Sequence, residues 1–168
     1  MSLTQTQSDQ EKFKLALGNY PTGVTIITAK GGDVPVGLTA NSFASVSLDP
    51  LLILWSIDHK ASSLETFKTS KHFAIHILEA NQQELCKTFA SKNVDRFDLC
   101  QWSESDNSVP IIDGTFAVLE CETFDTIEAG DHTIIIGKVI NIDVDSEKDP
   151  MLYHRRVFGP IPEEFYKQ

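Results

Sequence analysis

Basic residues are scarce in this sequence. Its 168 residues include 14 Lys and Arg against 24 Asp and Glu, which gives a formal net charge of −10. The basic residues that do occur form no extended run. Proteins that bind nucleic acid need clustered Lys and Arg to displace counterions from phosphates, so the composition excludes a nucleic-acid partner.

Long apolar runs are missing as well. The least charged stretch, residues 34–57, is interrupted by Pro and Gly and is rich in Ser, Thr and Asn. A membrane-spanning helix needs about 20 predominantly apolar residues, so we expect no membrane partner and no membrane segment. Residues 1–10 are polar and lack the apolar centre of a secretory signal.

Cysteine is rare and widely spaced. The chain contains only Cys86, Cys100 and Cys121, an odd number without a Cys-x-x-Cys pair. This pattern predicts neither a disulfide framework nor a zinc site, and we expect no bound metal. A reducing, cytoplasmic location fits these thiols best.

The length and composition predict one domain. Apolar residues make up 41% and charged residues 23%, which is ordinary for a folded domain. A chain of about 150 residues buries roughly 70% of the surface that it exposes when unfolded, enough for one full core. We assign the domain to residues 12–159, with a polar lead-in and helix cap at 1–11 and a tail at 160–168. Residues 150–168 as a whole read as a short tail that begins with Tyr153, His154 and Arg155.

Helix signals are few. Residues 8–11, Ser-Asp-Gln-Glu, form a capping box, and apolar residues at helical spacing follow it as far as Gly18. Two further capping patterns, at residues 62–65 and 81–84, predict helices that end near Ser70 and Ala90.

Strand signals outnumber the helix signals. The predicted strands are residues 24–29, 34–39, 51–57, 72–78, 117–127 and 132–144. Because regular strand–helix alternation is absent, a doubly wound sheet is disfavoured. We predict a mainly β fold, an antiparallel barrel with a few peripheral helices, since closure of a sheet removes its exposed edges.

Familiar catalytic motifs are absent. The chain contains no GxGxxG, no GxxxxGK[ST], no HExxH and no GxSxG. His72 and His76 have the spacing of a helical metal pair, but their segment alternates like a strand. We therefore interpret them as two residues on one face of a sheet.

The most informative stretch is residues 37–47, which combines five small hydroxyl or amide residues with no charge. Small polar side chains let backbone N–H groups approach a planar heterocycle or a phosphate closely. A Ser/Thr-rich edge strand followed by a loop would give the same pattern, and both interpretations stand at this point. Further along, Lys60 with Ser62 and Ser63 is either a phosphate site or a capped surface helix, and the two can coexist.

Several motifs taken together resemble the flavin reductase family, the small reductase components of two-component flavin-dependent monooxygenases. They are residues 20–24 (YPTGV), 37–43 (GLTANSF), 45–50 (SVSLDP), 89–90 (FA), 95–97 (DRF), 130–134 (GDHTI) and 152–155 (LYHR). The likeness covers about residues 12–159. It implies an FMN-binding split barrel, usually a homodimer, with the flavin near the subunit interface.

The resemblance also implies a set of flavin contacts. Those to the ring and ribityl chain would come from Thr39, Ala40, Asn41 and Ser42. Further residues lining the same site would be Ser45, Val46, Ser47, Phe89 and Ala90. The contacts to the phosphate would come from Lys60, Ser62 and Ser63.

A second set of residues would face the nicotinamide. These are His132, in the catalytic position, with Tyr153, His154 and Arg155. From the residues alone, His132 reads more readily as a turn histidine, and Tyr153 and His154 read equally well as packing residues.

The function that follows is that of an NAD(P)H-dependent flavin reductase. Such an oxidoreductase passes hydride from NADH or NADPH to FMN or FAD and supplies reduced flavin to a partner monooxygenase. Two alternatives remain open: a split-barrel oxidase with tightly bound FMN, and a non-catalytic, flavoredoxin-like electron carrier. In so acidic a chain, the candidates to offset the phosphate charge are Lys60, Arg96, Arg155 and Arg156.

Overall fold

The computed structural model describes residues 8–167, and strands dominate it, as predicted. The helices are α1 (Asp9–Gly18), α2 (Leu64–Thr69) and α3 (Gln83–Ala90), with 3-10 turns at Phe97–Leu99 and Glu163–Phe165. The strands are β1 (Thr22–Gly23), β2 (Thr25–Gly31), β3 (Val34–Ala40), β4 (Ala44–Leu48), β5 (Leu51–Asp58), β6 (His72–Ile77), β7 (Trp102–Glu104), β8 (Pro110–Ile112), β9 (Ala117–Ala129), β10 (His132–Val144), β11 (Met151–His154) and β12 (Val157–Pro160). Within residues 8–167 the longest helix has ten residues, too few to traverse a lipid bilayer.

The main sheet is antiparallel and rolled. Its seven strands run in the order β3-β2-β6-β9-β10-β5-β4, so β3 and β4 occupy opposite edges although only residues 41–43 separate them. In a flat sheet, six inter-strand spacings would hold these edges about 29 Å apart. The chain from Ala40 to Ala44 reaches only about 14 Å. The sheet therefore curls until its two edges approach each other where residues 41–43 cross.

Aromatic residues fill the inside of the roll. The indole of Trp55 on β5 is fully buried and meets Phe67 of α2 edge to face, with ring centroids 4.9 Å apart. Phe73 of β6 lies on another side of Trp55, at 6.1 Å. Gly137 of β10 makes room for this ring, because a Cβ atom there would lie 2.5 Å from the Phe73 Cζ atom.

A second apolar cluster covers the outside of the sheet. Ile26 and Ile27 are adjacent on β2 and both fully buried, and they belong to different clusters because successive side chains point to opposite faces. The outer cluster receives Phe89 from α3, Ile112 from β8 and Met151 from β11.

One of the three predicted helix caps is confirmed. The Ser8 hydroxyl accepts the Glu11 N–H at 3.2 Å, and the Glu11 carboxylate accepts the Ser8 N–H at 2.7 Å. The helices predicted after residues 62–65 and 81–84 do form, as α2 and α3, but the predicted capping hydrogen bonds do not. The cap residues Ser63 and Gln82 make no side-chain capping bond, and the Gln82 side chain instead accepts the N–H of Glu79 at 2.8 Å.

The short tail expected from residue 150 contains two strands that the sequence patterns did not predict. Strands β11 and β12 form a hairpin there, and β11 pairs with β1. Strand β1 lies far from β11 in the sequence, so no local pattern identifies the pairing of these two strands. The Tyr153 and Phe158 rings pack across the hairpin at 4.9 Å.

The two histidines of β6 lie on a strand, as interpreted from the sequence. His76 is fully buried, its Nδ1 donates to the Ile26 carbonyl at 3.0 Å and its Nε2 accepts the Ile112 N–H at 3.0 Å. Burial lowers the pKa of His76 to about 4, so the ring is neutral. Across residues 8–167, no group of three or more His, Cys, Asp and Glu residues is arranged to hold a metal ion.

Candidate functional site

A cavity of about 770 Å³ opens beside the crossing between β3 and β4. Its wall is built from α1, the end of β3, residues 41–42 of the crossing, β5, α3 and the tip of the β9–β10 hairpin. The volume lies in the range typical of small-molecule sites, about 300–1,000 Å³. The rolled sheet thus gathers sequence-distant segments into one concave site.

The cavity brings together part of the predicted site. The predicted residues in its wall are Thr39, Ala40, Asn41, Ser42, Phe89, Ala90 and His132. Those outside this wall are Ser45, Val46 and Ser47 on β4, and Lys60, Ser62 and Ser63 before α2. Ala61, which lies between Lys60 and Ser62, does contribute to the wall.

The predicted nicotinamide residues other than His132 line neighbouring cavities. Tyr153 borders a cavity of about 240 Å³ whose wall also includes Thr39, Ala40 and Asn41. Arg155 borders a cavity of about 490 Å³ beside α1, while His154 faces one of about 550 Å³ on the β11–β12 hairpin.

Two hydroxyl groups of the β3–β4 segment serve the fold. The Thr39 hydroxyl donates to the Cys86 carbonyl of α3 at 2.7 Å. The Ser42 hydroxyl accepts the Ser56 N–H at 3.0 Å and donates to the Ser56 carbonyl at 3.2 Å, which ties the crossing to β5. The Asn41 amide makes no side-chain hydrogen bond to residues 8–167, so its donors and acceptor remain available to a ligand.

Arg96 supplies a positive charge to the cavity wall. Its guanidinium donates to the backbone carbonyls of Ser91, at 2.7 Å, and Gly37, and no carboxylate among residues 8–167 forms an ion pair with it. Burial lowers the pKa of Arg96, but a guanidinium stays protonated in proteins. Sequence reasoning counted this residue only as a source of charge, although the DRF motif contains it.

His132 projects from the tip of the β9–β10 hairpin. Gly130 takes φ +65° there, a left-handed conformation that suits glycine in a tight turn. The His132 Nδ1 atom lies 2.7 Å from the Asp131 carboxylate, and this hydrogen bond holds the pKa of Asp131 below its usual range. With Nδ1 directed at Asp131, the Nε2 atom is the one left to act toward a ligand.

An ionic cluster stands behind this tip. The Glu128 carboxylate meets the His59 Nε2 atom and the Lys68 ammonium, each at 2.9 Å, and accepts the Thr133 hydroxyl at 3.1 Å. The Lys68 hydrogen bond lowers the pKa of Glu128, and the same bond raises the pKa of Lys68. The His59 N–H also donates to the Asp131 carbonyl at 3.0 Å. The tip is therefore tied to both β5 and α2.

Helix α1 contributes wall residues that the sequence motifs did not reveal. Phe13 and Leu17 border the cavity, and neither belongs to a functional motif. Their spacing predicted only an apolar helix face, and both side chains remain largely exposed where they border the cavity.

The site suits a flavin. Phe13, Leu17 and Ile134 offer apolar surface to a planar ring, with the buried Phe89 and Ile57 packed behind, while Asn41 offers free hydrogen-bonding groups. Strand β3 is a sheet edge, so the backbone groups on its outer side are not used by a neighbouring strand. Arg96 offers the charge that a phosphate requires.

Comparisons with known proteins agree with this chemistry. Residues 17–162 match the model of the flavin reductase like domain. An FMN reductase (NADH), SmoA, of Agrobacterium fabrum is 43% identical over 151 residues, covering 90% of this chain and 86% of that protein. The reductase component of a flavin-dependent trigonelline monooxygenase of Acinetobacter baylyi is 46% identical over 127 residues, covering 75% of this chain and 41% of that protein.

A solved structure agrees in both fold and sequence. It is the NADH:FAD oxidoreductase SgcE6 of Streptomyces globisporus, in complex with NAD and FAD fragments. It superposes with a TM-score of 0.87 at 36% identity and covers 95% of this chain and 98% of its own. The chain belongs to the flavin reductase family.

Proposed function

We propose that this protein is an NAD(P)H:flavin oxidoreductase that transfers hydride from a nicotinamide nucleotide to FMN or FAD. The observation that carries the proposal is the cavity at the β3–β4 crossing, where Asn41, Arg96 and His132 share one wall. The names of the relatives, an NADH-dependent FMN reductase and an NADH:FAD oxidoreductase, support it. A bound flavin supplies the two-electron chemistry, and the protein contributes binding and alignment.

The residues of the crossing bind the flavin. Asn41 hydrogen-bonds the polar edge of the ring, Ala40 permits close approach, and Phe89 with Ala90 packs against the apolar part. Thr39 and Ser42 hold this segment in place through their bonds to Cys86 and Ser56.

The flavin phosphate lies toward the cations. Arg96 is the charged donor in the cavity wall, and Ala61 brings the segment of Lys60, Ser62 and Ser63 to the same wall. On the other side of the crossing, Ser45, Val46 and Ser47 extend the site along β4.

His132 faces the nicotinamide. Its bond to Asp131 fixes the imidazole orientation and leaves Nε2 to contact the donor. Tyr153, His154 and Arg155 complete the nicotinamide side, which the cavity shared by Tyr153 and Asn41 supports.

Reduced flavin leaves the protein and reaches a monooxygenase. The relative that is a reductase component of a trigonelline monooxygenase supports this role. The net charge of −10 favours release, because an acidic protein retains an anionic cofactor weakly. The free thiols Cys86, Cys100 and Cys121 fit a cytoplasmic location.

The working unit is a homodimer. Ile142 and Val144 alternate along β10 on one face and are 50% and 53% exposed, and Ile140, at the β-bulge just before them, is 42% exposed. An apolar stripe of this kind marks an interaction surface. Phe13 and Leu17 of α1 are also largely exposed while bordering the cavity, so a second copy covering them would help to enclose the flavin.

A steady-state assay that crosses NADH and NADPH with FMN and FAD tests the proposed reaction. We expect nicotinamide oxidation in proportion to added flavin, and the absence of oxidation in all four combinations would contradict the proposal. Gel filtration separates the alternatives. A protein that keeps its yellow colour would favour an oxidase, and flavin binding without nicotinamide turnover would favour an electron carrier.

A further inference from the structure

The turn between β11 and β12 has an unfavourable sequence for its geometry. His154 pairs with Val157, which leaves a two-residue turn of Arg155 and Arg156, with φ +51° and +65°. Two-residue hairpin turns with positive φ at both positions strongly favour Asn-Gly and similar pairs. Arginine at both positions is a local conflict, and residues held in such conformations cluster at functional sites.

The two arginines face a cavity together with a third cation. The cavity of about 490 Å³ between α1 and the hairpin is lined by Lys14, Arg155 and Arg156, and no carboxylate contributes to its wall. In the part of the chain that the structure describes, none of the three cations forms an ion pair. Three uncompensated positive charges thus share one cavity in a chain with a net charge of −10.

This cavity adjoins the proposed active site. Phe13 and Leu17 border both it and the 770 Å³ cavity. Tyr153 borders both it and the smaller cavity that contains Asn41. A ligand that begins in the active site and extends past α1 would therefore meet the three cations.

We infer that Lys14, Arg155 and Arg156 form a subsite for the phosphorylated adenosine half of a dinucleotide whose reacting ring lies in the neighbouring cavity. The inference rests on the proposed reductase function. Guanidinium groups bind phosphate through paired, charge-assisted hydrogen bonds, which explains arginine at turn positions that favour other residues. NAD(P)H and FAD share this half, whereas FMN lacks it.

The test replaces the turn by its favourable sequence, with Arg155→Asn and Arg156→Gly together. We expect the melting temperature to rise by about 2–4 °C, as for a modest stabilisation of a chain of this size. We expect the KM for the dinucleotide that uses the subsite to rise about tenfold, since a lost charge-assisted bond has that effect. Because Arg155 also belongs to the nicotinamide side, the single variant Arg156→Gly identifies the dinucleotide. A rise in its KM for NADH alone identifies the nicotinamide dinucleotide, and a rise for FAD alone identifies the flavin dinucleotide.

Direct binding provides a readout that does not depend on turnover. Calorimetric titration with ADP should give a dissociation constant about tenfold weaker for the double variant and for Lys14→Gln than for the unaltered protein. Lys92→Gln, which removes an exposed cation outside this cavity, is the matched control. It should change neither the dissociation constant for ADP nor the KM for the dinucleotide.

Two results would overturn the inference. One is unchanged ADP affinity together with unchanged KM values for NADH, NADPH and FAD. The other is an equal rise in the KM for FMN, which has no adenosine half. If the unaltered protein oxidises no nicotinamide, the proposed function fails, while the ADP titration still decides whether the subsite exists.

Discussion

Asn41 is the polar side chain of the β3–β4 crossing that the fold leaves free, since the hydroxyls of Thr39 and Ser42 are engaged by Cys86 and Ser56. We expect Asn41→Ala to raise the KM for flavin about tenfold, because a hydrogen bond to the ring edge is lost. Unfolding by urea should be little changed. Asn141→Ala, which alters an exposed asparagine on β10, serves as the control. If Asn41→Ala leaves the KM for flavin unchanged, Asn41 does not belong to the site.

His76 makes the stability of the protein depend on pH. Its pKa is lowered to about 4 in the folded state, against an ordinary value of 6.5. The unfolded chain therefore binds the proton more readily, and folded-state stability is present above pH 6.5 and declines as the pH falls toward 4. The linked loss amounts to about 3 kcal/mol at pH 4 and below.

Denaturant unfolding between pH 7 and pH 4 tests this linkage. Relative to the unaltered protein, His76→Gln should be less stable at pH 7 and should lose less stability on acidification, because the titrating group is gone. His72→Gln on the same strand is the control and should keep the original pH dependence. Parallel curves for the unaltered protein and His76→Gln would contradict the assignment.

Gly137 is required by the packing inside the roll. A Cβ atom at this position would lie 2.5 Å from Phe73 Cζ and 3.0 Å from Cys121 Cβ. We expect Gly137→Ala to lower the free energy of unfolding by about 1–3 kcal/mol, as overpacking of a core does. The control is Gly18→Ala in α1, where no atom lies within 4 Å and a helical alanine should stabilise by about 0.5–1 kcal/mol.

At the scale of elements, the β9–β10 tip depends on its neighbours for its position. Beyond Glu122, β9 pairs only with β10, while β10 pairs with β5 as far as the His132–Asp58 pair. The contacts of Glu128 with His59 and Lys68 add side-chain attachments to the segment that follows β5 and to α2. His132 lies at this end, so its position depends on both the strand pairing and these side-chain contacts.

Removing that carboxylate should loosen the tip. We expect Glu128→Ala to speed amide hydrogen exchange severalfold in residues 128–133 and at His59, whose N–H donates to Asp131. The KM for NADH should rise as well, because His132 is held less firmly. Glu122→Ala removes an exposed carboxylate of the same strand that forms no ion pair within residues 8–167, and it should leave both measurements unchanged. Equal exchange in the two variants would show that the contacts of Glu128 do not hold the tip.

The elements that could be predicted from the sequence are those with a local pattern. The strands β2, β3, β5, β6, β9 and β10 all lie where apolar or β-branched residues recur. Strand β4 is an edge strand of small polar residues, and β7, β8, β11 and β12 are short. These segments are too short or too polar to show an apolar alternation, and β11 pairs in addition with the distant β1, so they read as loops or as a short tail.

The site could be predicted in part for the same reason. Thr39 to Ser42, at the end of β3 and the start of the crossing, form one continuous segment with a distinctive composition, and all four line the cavity. Phe13 of α1 and Arg96 after α3 reach the same wall only through tertiary packing. No spacing within the sequence expresses that proximity.

At the scale of the whole molecule, the apolar face of β10 can be tested by charge. Ile142 and Asp143 are neighbours on opposite faces of the strand, and both are exposed. We expect light scattering after gel filtration to give a dimer for the unaltered protein and for Asp143→Lys, and a monomer for Ile142→Lys. A monomer in all three cases would contradict the dimer, and a dimer in all three would place its interface elsewhere.

The short crossing of residues 41–43 has a consequence for the life of the protein in the cell. The same few residues hold the two edges of the rolled sheet near each other and include Asn41, which we propose as a flavin ligand. A ligand that binds only the folded form shifts the unfolding equilibrium by mass action, and the unfolded fraction is what proteases remove. We therefore expect the half-life of this reductase under proteolysis to lengthen as free flavin becomes abundant, so that the supply of the cofactor governs the amount of the enzyme.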